Sequence, residues 1–172
     1  ELLASAGATV ALADIDRAPL EEAASRARAA GSGSGAGAGA GAGAAKAYPI
    51  DVAQTAQLEE LVTAVHADFG RIDILVNNAG ICPRIPLEEM TEEAFDRMVA
   101  INLKSVFFLP RAVARVMRQN RFGRVVNVSS TGGRIGGVVN ATVYSATKGG
   151  ILAMTKSLAR EYAADGILVN AI

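Results

Sequence analysis

Tyr144 and Lys148 stand four residues apart in YSATKGG, a spacing that on a helix projects both side chains from one face. A phenol with an ordinary pKa of about 10 is too weak a base at neutral pH, and an adjacent ammonium favours the phenolate. Placed beside a substrate oxygen, such a pair can donate or accept a proton. An isolated Tyr and Lys at this spacing is more often a packing contact, so the surrounding motifs decide. Ser129 and Ser130 close the apolar run RVVNVSS, and Asn102 lies in INLKSVFF. NNAG, Asn77 to Gly80, follows IDILV, and its small residues let the backbone approach a flat ligand.

The elements that must position these residues alternate along the chain. Short apolar runs read as strands: TVALA (9–13), AYPI (47–50), IDILVNN (72–78), RVVNVSS (124–130) and LVNAI (168–172). Between them, helices are predicted from about Ala18 to Ala30, from Thr55 as a candidate N-cap to Gly70, from Thr91, from Leu103 to Gln119, and from Tyr144 to Ala163. Glu92 and Glu93 suit the positive end of the dipole in the helix that Thr91 opens. The chain begins in what reads as the end of a helix, with Gly7 as its cap. Strands separated by helices need crossover connections, which gives an α/β fold with a doubly wound, mostly parallel sheet covered on both faces. No domain boundary, and no repeat apart from the glycine tract, interrupts this pattern.

The stretch GSGSGAGAGAGAGAA, 31–45, superficially resembles a phosphate-binding loop. A dinucleotide loop leaves a strand and opens a helix, whereas this tract follows a helix and leads into a strand. Its glycines occupy only odd positions, so G-x-G-x-x-G cannot be met within it. It reads instead as a flexible low-complexity insertion.

Composition narrows the function. Seventeen basic side chains balance seventeen acidic ones among 172 residues, so no net charge draws nucleic acid or an anionic membrane. No apolar run reaches the roughly 20 residues of a membrane span. The single cysteine, Cys82, cannot form an internal disulfide and fits a reducing, cytoplasmic location. His66 has no partner at metal-ligand spacing, so no metal is expected.

Taken in order, NNAG, Asn102, Ser130 and Tyr144-x-x-x-Lys148 resemble the short-chain dehydrogenase/reductase family over essentially the whole chain except the glycine tract. Within it the chain looks most like the branch that holds 3-oxoacyl-acyl-carrier-protein reductases and many sugar or polyol dehydrogenases. The resemblance implies an NAD(P)-dependent oxidoreductase that transfers a hydride between a nicotinamide cofactor and an alcohol or ketone. It makes Tyr144 the general acid/base, while Lys148 tunes it and holds the nicotinamide ribose. Ser130 would polarise the substrate oxygen, and Asn102 would hold a water that relays protons through Lys148. The interval from Ser130 to Tyr144 is one residue longer than the commonest family spacing, which puts Thr131 at the usual distance; the strand and the glycines Gly133 and Gly136 favour Ser130. Asp14 matches the acid that accepts hydrogen bonds from the adenosine ribose and favours NAD, although Arg17 leaves NADP open. Asp51 and Val52 resemble the pair at the adenine, and Asn77, Ala79 and Gly80 would line the same pocket. The helix from Leu103 carries apolar residues beyond one stripe, and the resemblance implies a homodimer or homotetramer contact there.

Two family features are missing from the sequence: the first strand with its TGxxxGIG loop, and the Pro-Gly turn with the strand after LVNAI. The expectation is therefore a single dinucleotide-binding domain truncated at both ends, in which TVALA and AYPI have no strand joining them to IDILV. The alternative is a non-catalytic remnant or binding module.

Overall fold

The computed structural model describes residues 1–31 and 44–172. The expected insertion falls, over 32–43, outside the described residues; its flanks do not belong to it, since Gly31 ends a helix and Ala45 opens a strand. The elements run α1 (Leu2–Ser5), β1 (Val10–Asp14), α2 (Arg17–Gly31), β2 (Ala45–Pro49), α3 (Thr55–Phe69), β3 (Ile74–Asn77), α4 (Glu92–Val99), α5 (Ser105–Asn120), β4 (Gly123–Asn127), α6 (Gly132–Ile135), α7 (Thr142–Tyr162) and β5 (Ile167–Ala171). All strand pairs are parallel, and the helices supply the crossovers. The strands form two separate ladders, β1-β2 and β3-β4-β5, and the expected break between AYPI and IDILV is present.

The chain divides into two compact units, 1–51 with 63–70 and 52–62 with 71–172. In the first, β1 and β2 pair from Val10↔Ala45 to Asp14↔Pro49. Its core is built on Ala4, Ala27 and Ala45, with Val10 and Leu12 packed against them. Such small side chains let α2 lie close on the ladder. Asp68 near the end of α3 accepts from Lys46 Nζ at 2.6 Å and from the Tyr48 hydroxyl at 2.7 Å, both on β2. Burial, reinforced by that bond to Asp68, pushes the Tyr48 phenol up.

In the second unit, β4 is the central strand. Residues Leu75, Asn77, Val125, Asn127, Ile167 and Val169 share one face by alternation, and α5 and α7 pack on these strands. The opposite face carries Ile74 and Val76, 58% and 49% exposed. The expectation of helices on both faces is therefore met on one face within this unit. Thr91 caps α4, its Oγ1 accepting from the Ala94 N–H at 3.1 Å. Between α4 and α5 the helix widens into one π-turn, Ala100–Lys104, which the sequence pattern does not announce.

Gly166 leads into β5 with φ +75°, and a Cβ there would lie 2.2 Å from the Arg121 carbonyl oxygen. Gly166→Ala is expected to lower stability by about 2 kcal/mol or more, from a left-handed backbone and a contact that backbone atoms cannot yield. The urea midpoint of the native protein carrying these residues measures it.

Candidate active site

Five segments of the second unit meet around α7. The strand–turn β4–Ser130 delivers one side of the site. Ser129, buried by the alternation of β4, donates its hydroxyl to the Lys148 carbonyl at 2.9 Å. Ser130, one residue on, is less buried, and its Oγ accepts from the Gly132 N–H at 3.1 Å, closing a turn. Thr131, the other candidate, is exposed and sits at the start of α6. Gly133 then rests directly on α7: a Cβ there would be 2.6 Å from the Lys148 carbonyl carbon and 2.7 Å from the Gly149 nitrogen. Only glycine permits that approach.

Lys148 is 4% exposed and donates from Nζ to the Val128 carbonyl at 2.7 Å. Its Nζ lies 5.7 Å from the centre of the Tyr144 ring, so the helical spacing does bring phenol and ammonium together. Burial holds the Lys148 ammonium below the ordinary lysine value, with Cys82 acting weakly in the opposite sense.

Asn102 lies inside the π-turn and is 0% exposed. Its Oδ1 accepts from the Ile81 N–H and its Nδ2 donates to the Ile81 carbonyl, both at 2.8 Å, which fixes the amide's orientation. The second Nδ2 contact runs to Thr147 Oγ1 at 3.3 Å. A Cβ on Gly80 would stand 3.4 Å from Asn102 Oδ1 and 3.5 Å from Lys148 Nζ. NNAG, Asn102 and Lys148 therefore converge on one spot, and the missing side chain at Gly80 leaves that spot open. Ala79 and Gly80 are exposed.

Asn77 is placed differently from its neighbours. It is buried on β3 opposite Asn127, and its Nδ2 donates to Asn127 Oδ1 at 2.8 Å. Asn127 Nδ2 donates in turn to Thr155 Oγ1 on α7 at 2.9 Å. Sequence reading did not single out Asn127 or Thr147. A polar residue inside the apolar run RVVNV was the available signal for Asn127; Thr147 has none beyond lying between Tyr144 and Lys148. In the first unit, Asp14 is exposed at the end of β1, and its Oδ1 accepts from the Asp16 N–H at 3.0 Å. Asp51 follows the end of β2, and Val52 opens the second unit. Cys82 is free and exposed. Among the described residues no group of three His, Cys, Asp or Glu side chains could hold a metal ion, and no helix is long and apolar enough to cross a membrane.

A family model described as short chain dehydrogenase matches residues 1–172. The galactitol 2-dehydrogenase of Agrobacterium fabrum is 40% identical over 173 residues, covering 100% of this chain and 62% of the relative. The 3-oxoacyl-acyl-carrier-protein reductase of Escherichia coli is 40% identical over 127 residues, covering 74% of this chain and 52% of the relative. Among solved structures, an NAD+-bound xylitol dehydrogenase superposes with a TM-score of 0.87 at 34% identity, over 98% of this chain and 61% of that one. A metagenomic short-chain oxidoreductase in complex with NADP gives a TM-score of 0.84 at 30% identity, over 98% of this chain and 72% of that one. The chain belongs to the short-chain dehydrogenase/reductase family and has its Rossmann-like α/β fold. It spans about three fifths of the length of the galactitol and xylitol dehydrogenases it matches.

The lowered Lys148 value sets a pH dependence. The unfolded chain keeps this proton up to about the ordinary 10.5, while the folded chain releases it earlier, so this group makes stability rise with pH between the folded value and 10.5. Lys148→Met removes that rise. The variant's stability relative to wild type should be most favourable near neutral pH and fall as the pH approaches 10.5, as urea midpoints across that range would show.

Proposed function

We propose that the native protein carrying this chain is an NAD(P)-dependent oxidoreductase acting on an alcohol or ketone, with its residues part of one dinucleotide-binding domain. The convergence of Gly80, Asn102 and Lys148 beside Tyr144 carries this reading. A nicotinamide cofactor, when bound, supplies or accepts the hydride. The residues present fit one: Gly80 opens a cradle that any Cβ would fill, and Lys148 spends one of its three protons on Val128, leaving donors for ribose hydroxyls.

The chain's own groups handle the proton and the substrate oxygen. Tyr144 gives its phenolic proton to the oxygen in reduction and takes it back in oxidation. Lys148 places a positive charge where the phenolate forms, favouring the deprotonated state. Ser130 hydrogen-bonds the substrate oxygen and fixes its approach. Asn102 belongs to the proton path through Lys148; since its amide is engaged with Ile81 and Thr147, it holds that path by anchoring the π-turn. Asp14, with Asp51 and Val52, would contact the adenosine half, and within the second unit Asn77 supports Ala79 and Gly80, the cofactor-binding turn, through its place in the ladder beneath them. The carboxylate of Asp14 favours NAD over NADP. A cytoplasmic homodimer or homotetramer is the associated state; Phe107 on α5 is exposed and available to such a contact.

A polyol-type secondary alcohol is favoured as substrate over an acyl-carrier thioester, because the likeness to galactitol 2-dehydrogenase covers all of this chain. Tyr144→Phe in the native protein should lower kcat by at least about 100-fold, the scale of a lost general acid/base. Its NADH affinity, read by fluorescence titration, should stay within about twofold of wild type. Retained turnover would refute the role given to Tyr144, whereas a native protein with no turnover and no NADH binding would leave the non-catalytic reading. Asp14→Ser should raise the NADP to NAD ratio of kcat/KM by about tenfold or more, by relieving a like-charge contact with the extra phosphate.

A further inference from the structure

Thr147 sits between Tyr144 and Lys148 in the chain, yet its side chain is turned away from solvent. It is 2% exposed. Its hydroxyl proton is committed to the Tyr144 backbone carbonyl at 2.7 Å, one helical turn back. The same oxygen accepts from Asn102 Nδ2 at 3.3 Å. Because Asn102 is clamped to Ile81 through both ends of its amide, the direction of every bond in the row is fixed. Ile81 orients the Asn102 amide, Asn102 donates to Thr147, and Thr147 donates to the peptide of Tyr144.

We propose that Thr147 is a positioning residue for catalysis, a link through which the π-turn and the segment after β3 fix where the Tyr144 end of α7 lies. This inference rests on the oxidoreductase reading. A second bracket on the same helix provides the comparison. Thr155 donates to the Ile151 carbonyl at 2.7 Å and accepts from Asn127 Nδ2 at 2.9 Å, so the same chemistry recurs eleven residues after Tyr144. Both threonines hold α7 down; only Thr147 bonds to the peptide that carries the phenol. Proton transfer depends on the oxygen-to-oxygen approach, so a shift of the phenol by a fraction of an ångström acts on the chemical step and little on ground-state binding.

The test is steady-state kinetics on the native protein with four variants, Thr147→Val, Thr147→Ser, Thr155→Val and Tyr144→Phe. Valine keeps the shape of threonine and removes the hydroxyl. Thr147→Val is expected to lower kcat by about tenfold or more with KM for cofactor and substrate within about twofold, the scale of a misplaced reacting group. Thr147→Ser, which restores the hydroxyl, should keep kcat within about threefold. Thr155→Val should lower the thermal midpoint to a similar extent while keeping kcat within about twofold. The inference is overturned if Tyr144→Phe is inactive while Thr147→Val retains wild-type kcat. It is equally overturned if both valine variants lose kcat by the same factor, or if serine fails to restore it, since the hydroxyl would then serve general packing. Should Thr147→Val not fold, Thr147→Cys, of similar size and weaker hydrogen bonding, takes its place with a fall of about threefold expected and an unchanged kcat decisive against. If Tyr144→Phe itself turns over normally, the acid/base role of Tyr144 fails first and this inference with it; if the native protein shows no turnover, the oxidoreductase reading itself fails.

Discussion

The peptide of Lys148 is pressed against the end of β4, and the rest of the site hangs from that contact. Ser129 bonds to its carbonyl, Gly133 lies against it without a side chain, and the Lys148 ammonium reaches back to the Val128 carbonyl. Backbone and side chain of one residue are thus held by the same short stretch of chain. A helix this long could pivot on a single attachment; three attachments within one turn leave it no freedom at the end that matters. The Ser130 turn and the Tyr144–Lys148 face come together as a result, although neither element specifies the other.

That docking places polar groups in the interior, where each must find a partner or cost about 1–3 kcal/mol in lost solvation. Asn102, Asn127, Thr147, Thr155 and Lys148 are all buried, and all are bonded. The partners are backbone groups, Asn77 or one another, and the remaining donors of Lys148 are what the network leaves for a ligand. The π-turn belongs to this economy of bonds. It breaks the regular helix between α4 and α5 and turns the Asn102 amide toward Ile81, where an α-helical continuation would carry it past.

Much of this was legible in the sequence. Apolar runs gave the five strands to within a few residues, because buried parallel strands are selected for β-branched apolar side chains on both faces. Thr91 was legible as the start of its helix, which the structure makes an N-cap, whereas Thr55, the N-cap candidate, is the first residue inside α3; Tyr144 and Lys148 were visible because their spacing survives translation into a helix, and Asn102 through the family resemblance. The π-turn was not legible: AINLKS has ordinary helical periodicity, and the widening answers a tertiary demand from Ile81. Ser129 and Ser130 look alike in the sequence, and only the alternation of β4 separates the buried one from the open one. Asp14 stands exposed at the end of β1 with its carboxylate closing a turn onto Asp16, a local use that the sequence does not separate from a ligand-binding one. Asn127 and Thr147 were silent because their partners lie far away in sequence.

The Asn77–Asn127 amide pair has a further consequence for how the three-stranded ladder finds its alignment. The two residues face each other across β3 and β4, and the bond closes only in that pairing. A slip by one residue would put the two amides on opposite faces; a slip by two would set Asn77 against Val125 or Asn127 against Leu75, and in either case the amide–amide bond is lost. Strands as uniform as ILVN and GRVVN offer little else by which to tell one alignment from the next. The asparagines therefore act as a vernier mark, making one alignment of two nearly featureless strands distinct in energy from its neighbours before α7 closes over them.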